Sequence, residues 1–257
     1  MADNEYSLDK KQVRRNFDCA ANTYDKYAVL QQEIAGRLDE RFEFIKINPQ
    51  RIVDLGVGTG QVSFALAKRF RKSQIIGMDI SLEMAKAFFR RVPWHKRFRG
   101  KISSICADIE ALPLLNDSCE LLVSSLTLQW CNDLEQVFAE AKRILKPGGL
   151  FMFTSFGPDS LKELRSCWGK LVSDTHVSAF YDMHDLGDAM LRHGFLDPVM
   201  DIERITSYYD SVKELMVELK MIGASNVTSG RPRGLLNKSK WKALQENYEL
   251  YRSDKGL

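Results

Sequence analysis

The sequence predicts an α/β fold: a doubly wound, mostly parallel sheet with helices on both faces. Three observations carry that expectation. Five short apolar runs alternate with helix-like segments between residues 51 and 156. The first run leads straight into Gly56, Gly58 and Gly60 and then into a helical stretch. The second and third runs each reach an aspartate, Asp79 and Asp108, at their carboxyl ends. In an open parallel sheet, ligands sit beyond those ends.

Residues 1–12 are expected to fray, and 1–48 to form an N-terminal helical cap. From Gln12 to Leu38 the apolar residues Phe17, Ala20, Ala21 and Tyr24, then Ile34, Leu38 and Phe42, recur at three- and four-residue spacing. Asn22-Thr23-Tyr24-Asp25 predicts a helix break, since Asn and Asp bond their own backbone readily. Asn48-Pro49 ends the helical region and leads into the sheet.

The core is expected over 49–157. Ile52, Val53 and Leu55 form a buried strand, with Asp54 among them, and Gln61 to Phe70 a helix. A strand, a glycine turn and a helix together suit a nucleotide, because the backbone can approach the ligand and helix amides point at it. The dinucleotide pattern Gly-x-Gly-x-x-Gly is off by one residue here: Gln61 takes its third glycine position and the glycine falls at Gly60. The turn alone therefore leaves a nicotinamide dinucleotide, another nucleoside ligand and plain chain reversal open. Gln74 to Ser81 is the second strand; Asp79 suits the two hydroxyls of a ribose, or else caps the helix from Leu82 to Arg91, as Ser81 could. Ile102 to Asp108 is the third strand. Asp108 could accept an adenine amine while Ile109 packs on the ring, or could simply be a turn residue. Cys119 to Trp130 is the fourth strand and its exit, Leu134 to Leu145 a helix stopped by Lys146-Pro147-Gly148-Gly149, and Leu150 to Phe156 the fifth strand. Ser124 to Gln129 would lie at the same rim as Gly56 to Gly60, Asp79 and Asp108.

Residues 158–257 read as acceptor-side helices, a C-terminal helical lid region, with one further strand. Helices are expected over Ser160 to Val172, Met183 to His193 with Gly194 as cap, Val212 to Ile222 and Lys238 to Tyr251. Val199 to Tyr208 alternates like a strand, partly out of step, and Ser225 to Gly234 is a loop.

Composition bounds the function. With 257 residues, 44% hydrophobic and 28% charged, the chain has the balance of a soluble globular protein. A net charge of +3 does not demand nucleic acid. No apolar run approaches the roughly 20 residues that cross a bilayer, and residues 1–15 lack a signal-peptide core. Five scattered cysteines without a Cys-x-x-Cys pair point to a reducing cytoplasm and away from structural zinc, so no metal is expected.

Taken jointly, the glycine turn with Asp54 ahead of it, Asp79, Asp108 and Leu145-Lys-Pro-Gly-Gly149 resemble class I S-adenosylmethionine (SAM) methyltransferases over about residues 50–156. That resemblance implies a Rossmann-like fold, SAM as cofactor, and a SAM-binding set of Asp54, Gly56, Gly58, Gly60, Asp79, Ile80, Asp108, Ile109, Ser124 and Leu126. Asn/Asp-Pro-Pro-Tyr/Phe after the fourth strand and Pro-Cys are both absent, which disfavours nucleic-acid methylation. More specifically, Phe17-Asp-Cys-Ala-Ala-Asn-Thr-Tyr24-Asp25 with Gln31-Gln32 resembles the N-terminal signature of the BioC family, the malonyl-[acyl-carrier protein] O-methyltransferases of biotin synthesis. Asp108 to Pro113, Leu128-Gln-Trp130, Thr154-Ser-Phe156, Lys220 to Ala224 and Gly230-Arg231 extend the likeness. It implies methyl-ester formation on the free carboxylate of a malonyl thioester.

A carboxylate with a pKa near 4 needs no deprotonation at neutral pH, so such an enzyme can lack an obvious general base. It does need a cationic clamp, and Arg231 and Arg233 are candidates, with a solvated loop as the alternative. Tyr24 closes over SAM or orients the acceptor, or else packs the N-terminal helix. Acyl carrier proteins are acidic, so a basic landing patch is expected: either Lys/Arg 231, 233, 238, 240, 242, 252 and 255, or Arg90-Arg91 with Lys96, Arg97, Arg99 and Lys101. The chain is expected to act as a monomer. Two departures from the family stand out. Val57 replaces the usual cysteine or alanine, and the chain stops at Arg252-Ser-Asp-Lys-Gly-Leu257, where the family adds a strand inserted antiparallel beside the fifth. A small-molecule O- or C-methyltransferase, for example on a quinone precursor, and a non-methylating SAM-fold assembly protein remain open.

Overall fold

A computed structural model describes residues 7–171, 180–229, 231 and 237–257. Its strands are β1 (Arg51–Leu55), β2 (Gln74–Asp79), β3 (Ile102–Cys106), β4 (Cys119–Ser125) and β5 (Leu145–Thr154), in the order β3-β2-β1-β4-β5. Every pairing is parallel. Strands of a sheet covered on both faces must be apolar throughout. Accordingly Ile52, Val53, Leu55, Leu121, Leu122 and Val123 are all fully buried.

One face is covered by α3 (Val29–Arg41), α4 (Gln61–Arg69) and α5 (Leu82–Arg91), whose Leu38, Leu66 and Phe88 pack on Ile52, Ile75 and Leu121. The other is covered by α7 (Leu134–Ile144) and α9 (Met183–Arg192), whose Phe138, Ile144 and Met190 pack with Val53, Leu55 and Leu122. Chain order reverses at β1, between β2 and β4, the kind of switch point at which sheets of this class take ligands, beyond the carboxyl ends of the strands.

The N-terminal helices are α1 (Lys10–Ala20) and α2 (Tyr24–Tyr27), separated from one another at the expected break. There the Thr23 hydroxyl donates to the carbonyls of Ala20 (3.1 Å) and Met221 (2.8 Å). A short α6 (Trp94–Phe98), not foreseen, leads into β3. The helices α8 (Lys162–Gly169), α10 (Val212–Met221) and α11 (Lys238–Glu249) form a core of their own around Trp168, Leu215, Leu244 and Tyr248.

Several boundaries differ from expectation for local reasons. β3 stops at Cys106 because Asp108 turns the chain, its Oδ1 accepting from the Glu110 amide at 3.1 Å. β4 stops at Ser125, where Leu126 takes φ +52°, and Leu128–Trp130 is a 3₁₀ turn. β5 begins at Leu145 and takes in Lys146-Pro147-Gly148-Gly149, with a register shift opposite Cys119 and Leu121.

The expected strand over 199–208 does not form. Arg37 and Arg41 of α3 pair with Glu203, and Arg41 with Asp201, so the run is held on the helix side. Its apolar residues stay open to solvent, Val199 at 91% and Ile202 at 63%. A cleft of about 1680 Å³ lies between it and β5, lined by Phe151 and Phe153 on one side and Met200 and Ile202 on the other. β5 is therefore an edge strand among the described residues.

Gly77 of β2 shows how tightly this sheet is closed. A Cβ there would lie 2.5 Å from Phe88 and 2.7 Å from Val57. Gly77→Ala is expected to cost about 1–3 kcal/mol by overpacking. Adding Phe88→Leu should recover part of that loss, and denaturant midpoints of the two single variants and the double measure it.

Candidate functional site: the crevice at the strand tips

The glycine turn sits on the end of β2. Amides of Gly56 and Val57 both donate to the Met78 carbonyl at 2.8 Å. Gly56, Gly58 and Gly60 all have positive φ (+76°, +53°, +96°), a region that costs other residues strain. A Cβ on Gly56 would also meet Thr127 Oγ1 at 1.9 Å, and one on Gly60 would meet Phe88 at 2.3 Å. Packing alone thus demands those two glycines. Gly58 is different: its nearest neighbour would be Tyr24 Cε1 at 4.0 Å, so its outward face is open.

Beneath that open face lies Asp79. Its Oδ2 accepts from the Gly58 amide (2.9 Å) and its Oδ1 from the Ser81 amide (2.8 Å). Burial pushes its pKa up to about 6, while the two amide bonds pull the other way. The carboxylate is therefore fixed in orientation, and each oxygen keeps a second lone pair for a ligand hydroxyl. Ile80 follows it, half-buried.

The remaining candidates divide into rim and core. Asp108 lies at the rim, partly exposed, with Oδ1 bonded to Lys10 Nζ at 3.0 Å. Ile109 is buried in the core under α7. Asp54 is fully buried and accepts from Ser63 Oγ at 2.6 Å; burial raises its pKa to about 7, and the Ser63 bond opposes that. It braces β1 against α4. Ser124 Oγ donates to the Leu55 carbonyl at 3.0 Å and braces β4 against β1. The Leu126 amide donates to Thr154 O at 3.0 Å.

Tyr24 borders the open face of Gly58, its Cε1 4.0 Å from where a Cβ there would lie. Burial, then the charges of Asp79 and Asp25, raises its pKa, so its hydroxyl stays protonated and can donate. Arg231 donates to the Thr228 carbonyl (2.9 Å) and lies 3.7 Å from Asp9. Arg233 lies outside the described residues. The described histidines stand elsewhere: His95 on α6, His184 on α9 and His193 at its end. Lys10, Thr59 and Thr127 belong to the site's surroundings and were not singled out from sequence. Only the Tyr24-Asp25 signature pointed toward them.

An open glycine face, a fixed carboxylate on the second strand and a rim carboxylate on the third fit the nucleoside half of SAM. Among the described residues, no helix is long and apolar enough to cross a membrane.

Comparison with known proteins places the chain among methyltransferases. A family described as methyltransferase domain matches residues 53–153. A malonyl-[acyl-carrier protein] O-methyltransferase of Gallionella capsiferriformans is 44% identical over 98% of this chain and 87% of its own length. Its counterpart in Methylovorus sp. is 45% identical over 99% and 86%. Among solved structures, a Haemonchus contortus phosphoethanolamine N-methyltransferase in complex with phosphomonomethylethanolamine and S-adenosylhomocysteine shares the fold. It has a TM-score of 0.56 and 22% identity, covering 72% of this chain and 45% of that one.

The Asp79 environment sets a pH dependence. Ribose hydroxyls need the ionised carboxylate, so SAM affinity is expected to fall as pH drops through about 6. Stability responds in the opposite sense: for this group alone, a folded pKa above the ordinary 3.8 means the fold gains as pH falls from above 6 to below 4. Asp79→Asn should weaken SAM binding by about 10- to 100-fold, the worth of a hydrogen bond to a charged group, and flatten its pH dependence in calorimetric titrations.

Proposed function

The chain belongs to the malonyl-[acyl-carrier protein] O-methyltransferase family, and we propose that it methylates the free carboxylate of a malonyl thioester on acyl-carrier protein, or on CoA, with SAM. The observation that carries this reading is Asp79, locked by two amides under the one turn glycine with an open face. Product formation breaks the sulfonium–methyl bond and makes an ester oxygen–methyl bond, so a cation and an anion become two neutral groups. The ester masks the charge, lets fatty-acid elongation enzymes accept the group, and begins a pimeloyl precursor of biotin.

The residues fit that chemistry. Gly58, Asp79 and Asp108 hold and orient SAM, with Asp54 and Ser124 keeping β1 in place behind them. A carboxylate acceptor is already ionised at neutral pH, and no described histidine stands at the strand tips to act as a base. Tyr24, protonated and poised over Gly58, donates its hydroxyl to the incoming carboxylate. Arg231 is the acceptor clamp once its contacts to Thr228 and Asp9 yield. For the acidic carrier, α11 offers exposed Lys238, Lys240 and Lys242. The run from Lys96 to Lys101 suits it less, since α6 leads into the amino end of β3, away from the tips. We read the protein as a cytoplasmic monomer.

Incubation with methyl-labelled SAM and either malonyl carrier protein or malonyl-CoA should give a base-labile ester on the thioester. Label on a phenolic acceptor alone would favour a small-molecule enzyme. SAM binding without transfer to any acceptor would favour an assembly protein. Tyr24→Phe is expected to lower kcat/KM for the malonyl thioester by about 10-fold, one hydrogen bond's worth, with SAM affinity within threefold of wild type.

A further inference from the structure

We propose that Lys10, Asp18 and Asp25 are positioning residues that fasten the N-terminal segment across the three loops forming the SAM pocket. This inference rests on the SAM reading above. The three lie eight and seven residues apart, on α1 and α2, and each reaches a different strand-tip loop. Lys10 Nζ lies 3.0 Å from Asp108 Oδ1 and 2.9 Å from Glu110 Oε1, past the end of β3. Asp18 Oδ1 accepts from Ser81 Oγ at 2.7 Å and from the Glu83 amide at 3.1 Å, past β2. Asp25 Oδ1 accepts from Thr59 Oγ1 at 2.5 Å in the glycine turn after β1, and its Oδ2 from Arg91 at 2.7 Å. Arg91 also donates to the Thr59 carbonyl at 3.2 Å.

The signs of the charges follow the loops. A lysine meets the two acids after β3. Asp18 meets a hydroxyl and an amide at the N-terminus of α5, where an anion is favoured, and Asp25 meets the hydroxyl of Thr59 just before α4 and the guanidinium of Arg91. Packing reinforces the crossing, since Phe17 of α1 meets the Trp130 ring edge-on at 5.3 Å. Upstream the segment is stitched down as well: Asn132 bonds both the amide (2.7 Å) and the carbonyl (2.9 Å) of Leu8. Tyr24 stays over Gly58 because its neighbour Asp25 is pinned to Thr59.

A strap fixed at the rim of all three loops holds them in register and covers bound SAM. The three anchors themselves do not touch the reacting atoms, so loosening them should act on SAM binding, with kcat/KM for the acceptor falling besides only at Asp25, whose neighbour is Tyr24. Lys10→Met, Asp18→Asn and Asp25→Asn should each raise KM for SAM and speed S-adenosylhomocysteine release by roughly fivefold or more, with kcat at saturating SAM within twofold. Lys10→Arg, which keeps the charge, should restore KM to within twofold of wild type. Asp39→Asn breaks a comparable pair with Arg69 away from the pocket and serves as the control. It should lower Tm to a similar degree and leave KM unchanged. Arg91→Met, at a half-exposed site, tests the Asp25 anchor should the aspartate variants fail to fold. Variants that raise KM by less than twofold, that lower kcat instead, or that merely match Asp39→Asn would overturn the proposal. Wild-type protein that binds no SAM in calorimetry would instead remove the function reading itself.

Discussion

A carboxylate buried at the end of β2 is the constraint on which the rest of the molecule turns. An ion in that position is costly unless its oxygens are bonded, and the pKa of about 6 registers the cost. Asp79 meets the requirement with an amide from the turn after β1 and an amide from the start of α5. One side chain thereby fixes two loops relative to each other. Met78, one residue earlier, accepts the two preceding turn amides, so the turn is set by the neighbouring strand and not by its own residues alone. Below it, Phe88 fills the space that side chains at Gly60 and Gly77 would need.

Around this fixed point the N-terminal segment joins parts that are distant in the chain. Besides crossing the strand tips, it pairs with the loop after α10, where the Asp9 amide donates to Val227 at 2.9 Å and the Ser229 amide to Ser7 at 2.8 Å. The Thr23 hydroxyl reaches the end of α10 itself. The helices that build the small C-terminal core are thus tied to the cofactor side through the strap as well as through the chain leaving β5. Arg231 lies at that junction, bonded to Thr228 and facing Asp9.

Much of this was legible in the sequence because the signals were local. Short apolar runs, separated by helical periodicity, mark a covered parallel sheet, and the five parallel strands are as expected. The glycine turn and the two aspartates marked the strand tips as the candidate site. What escaped were partnerships set by tertiary contact. Nothing in the residues around Asp54 or Ser124 says that their side chains bond inward, one to Ser63 and the other to the Leu55 carbonyl. Nothing local pairs Lys10 with Asp108 or Asp25 with Thr59, because each bond joins segments 34 to 98 residues apart. The run from Val199 to Tyr208 alternates like a strand, yet a strand exists only where another lends its edge. Two arginines on α3 claim its acids instead.

The cleft along β5 carries a consequence of its own. One side of that strand presents backbone amides and carbonyls to an apolar trough with no ladder partner among the described residues. Protein surfaces of this kind are templates for edge-to-edge association, and natural folds usually blunt them with charge, proline or a bulge. Here Lys146 and Pro147 guard only the first residues of the strand. From Leu150 to Phe153 the strand carries only aromatic and aliphatic side chains, packed into the cores on its two faces, so no charge stands along that part of its free edge.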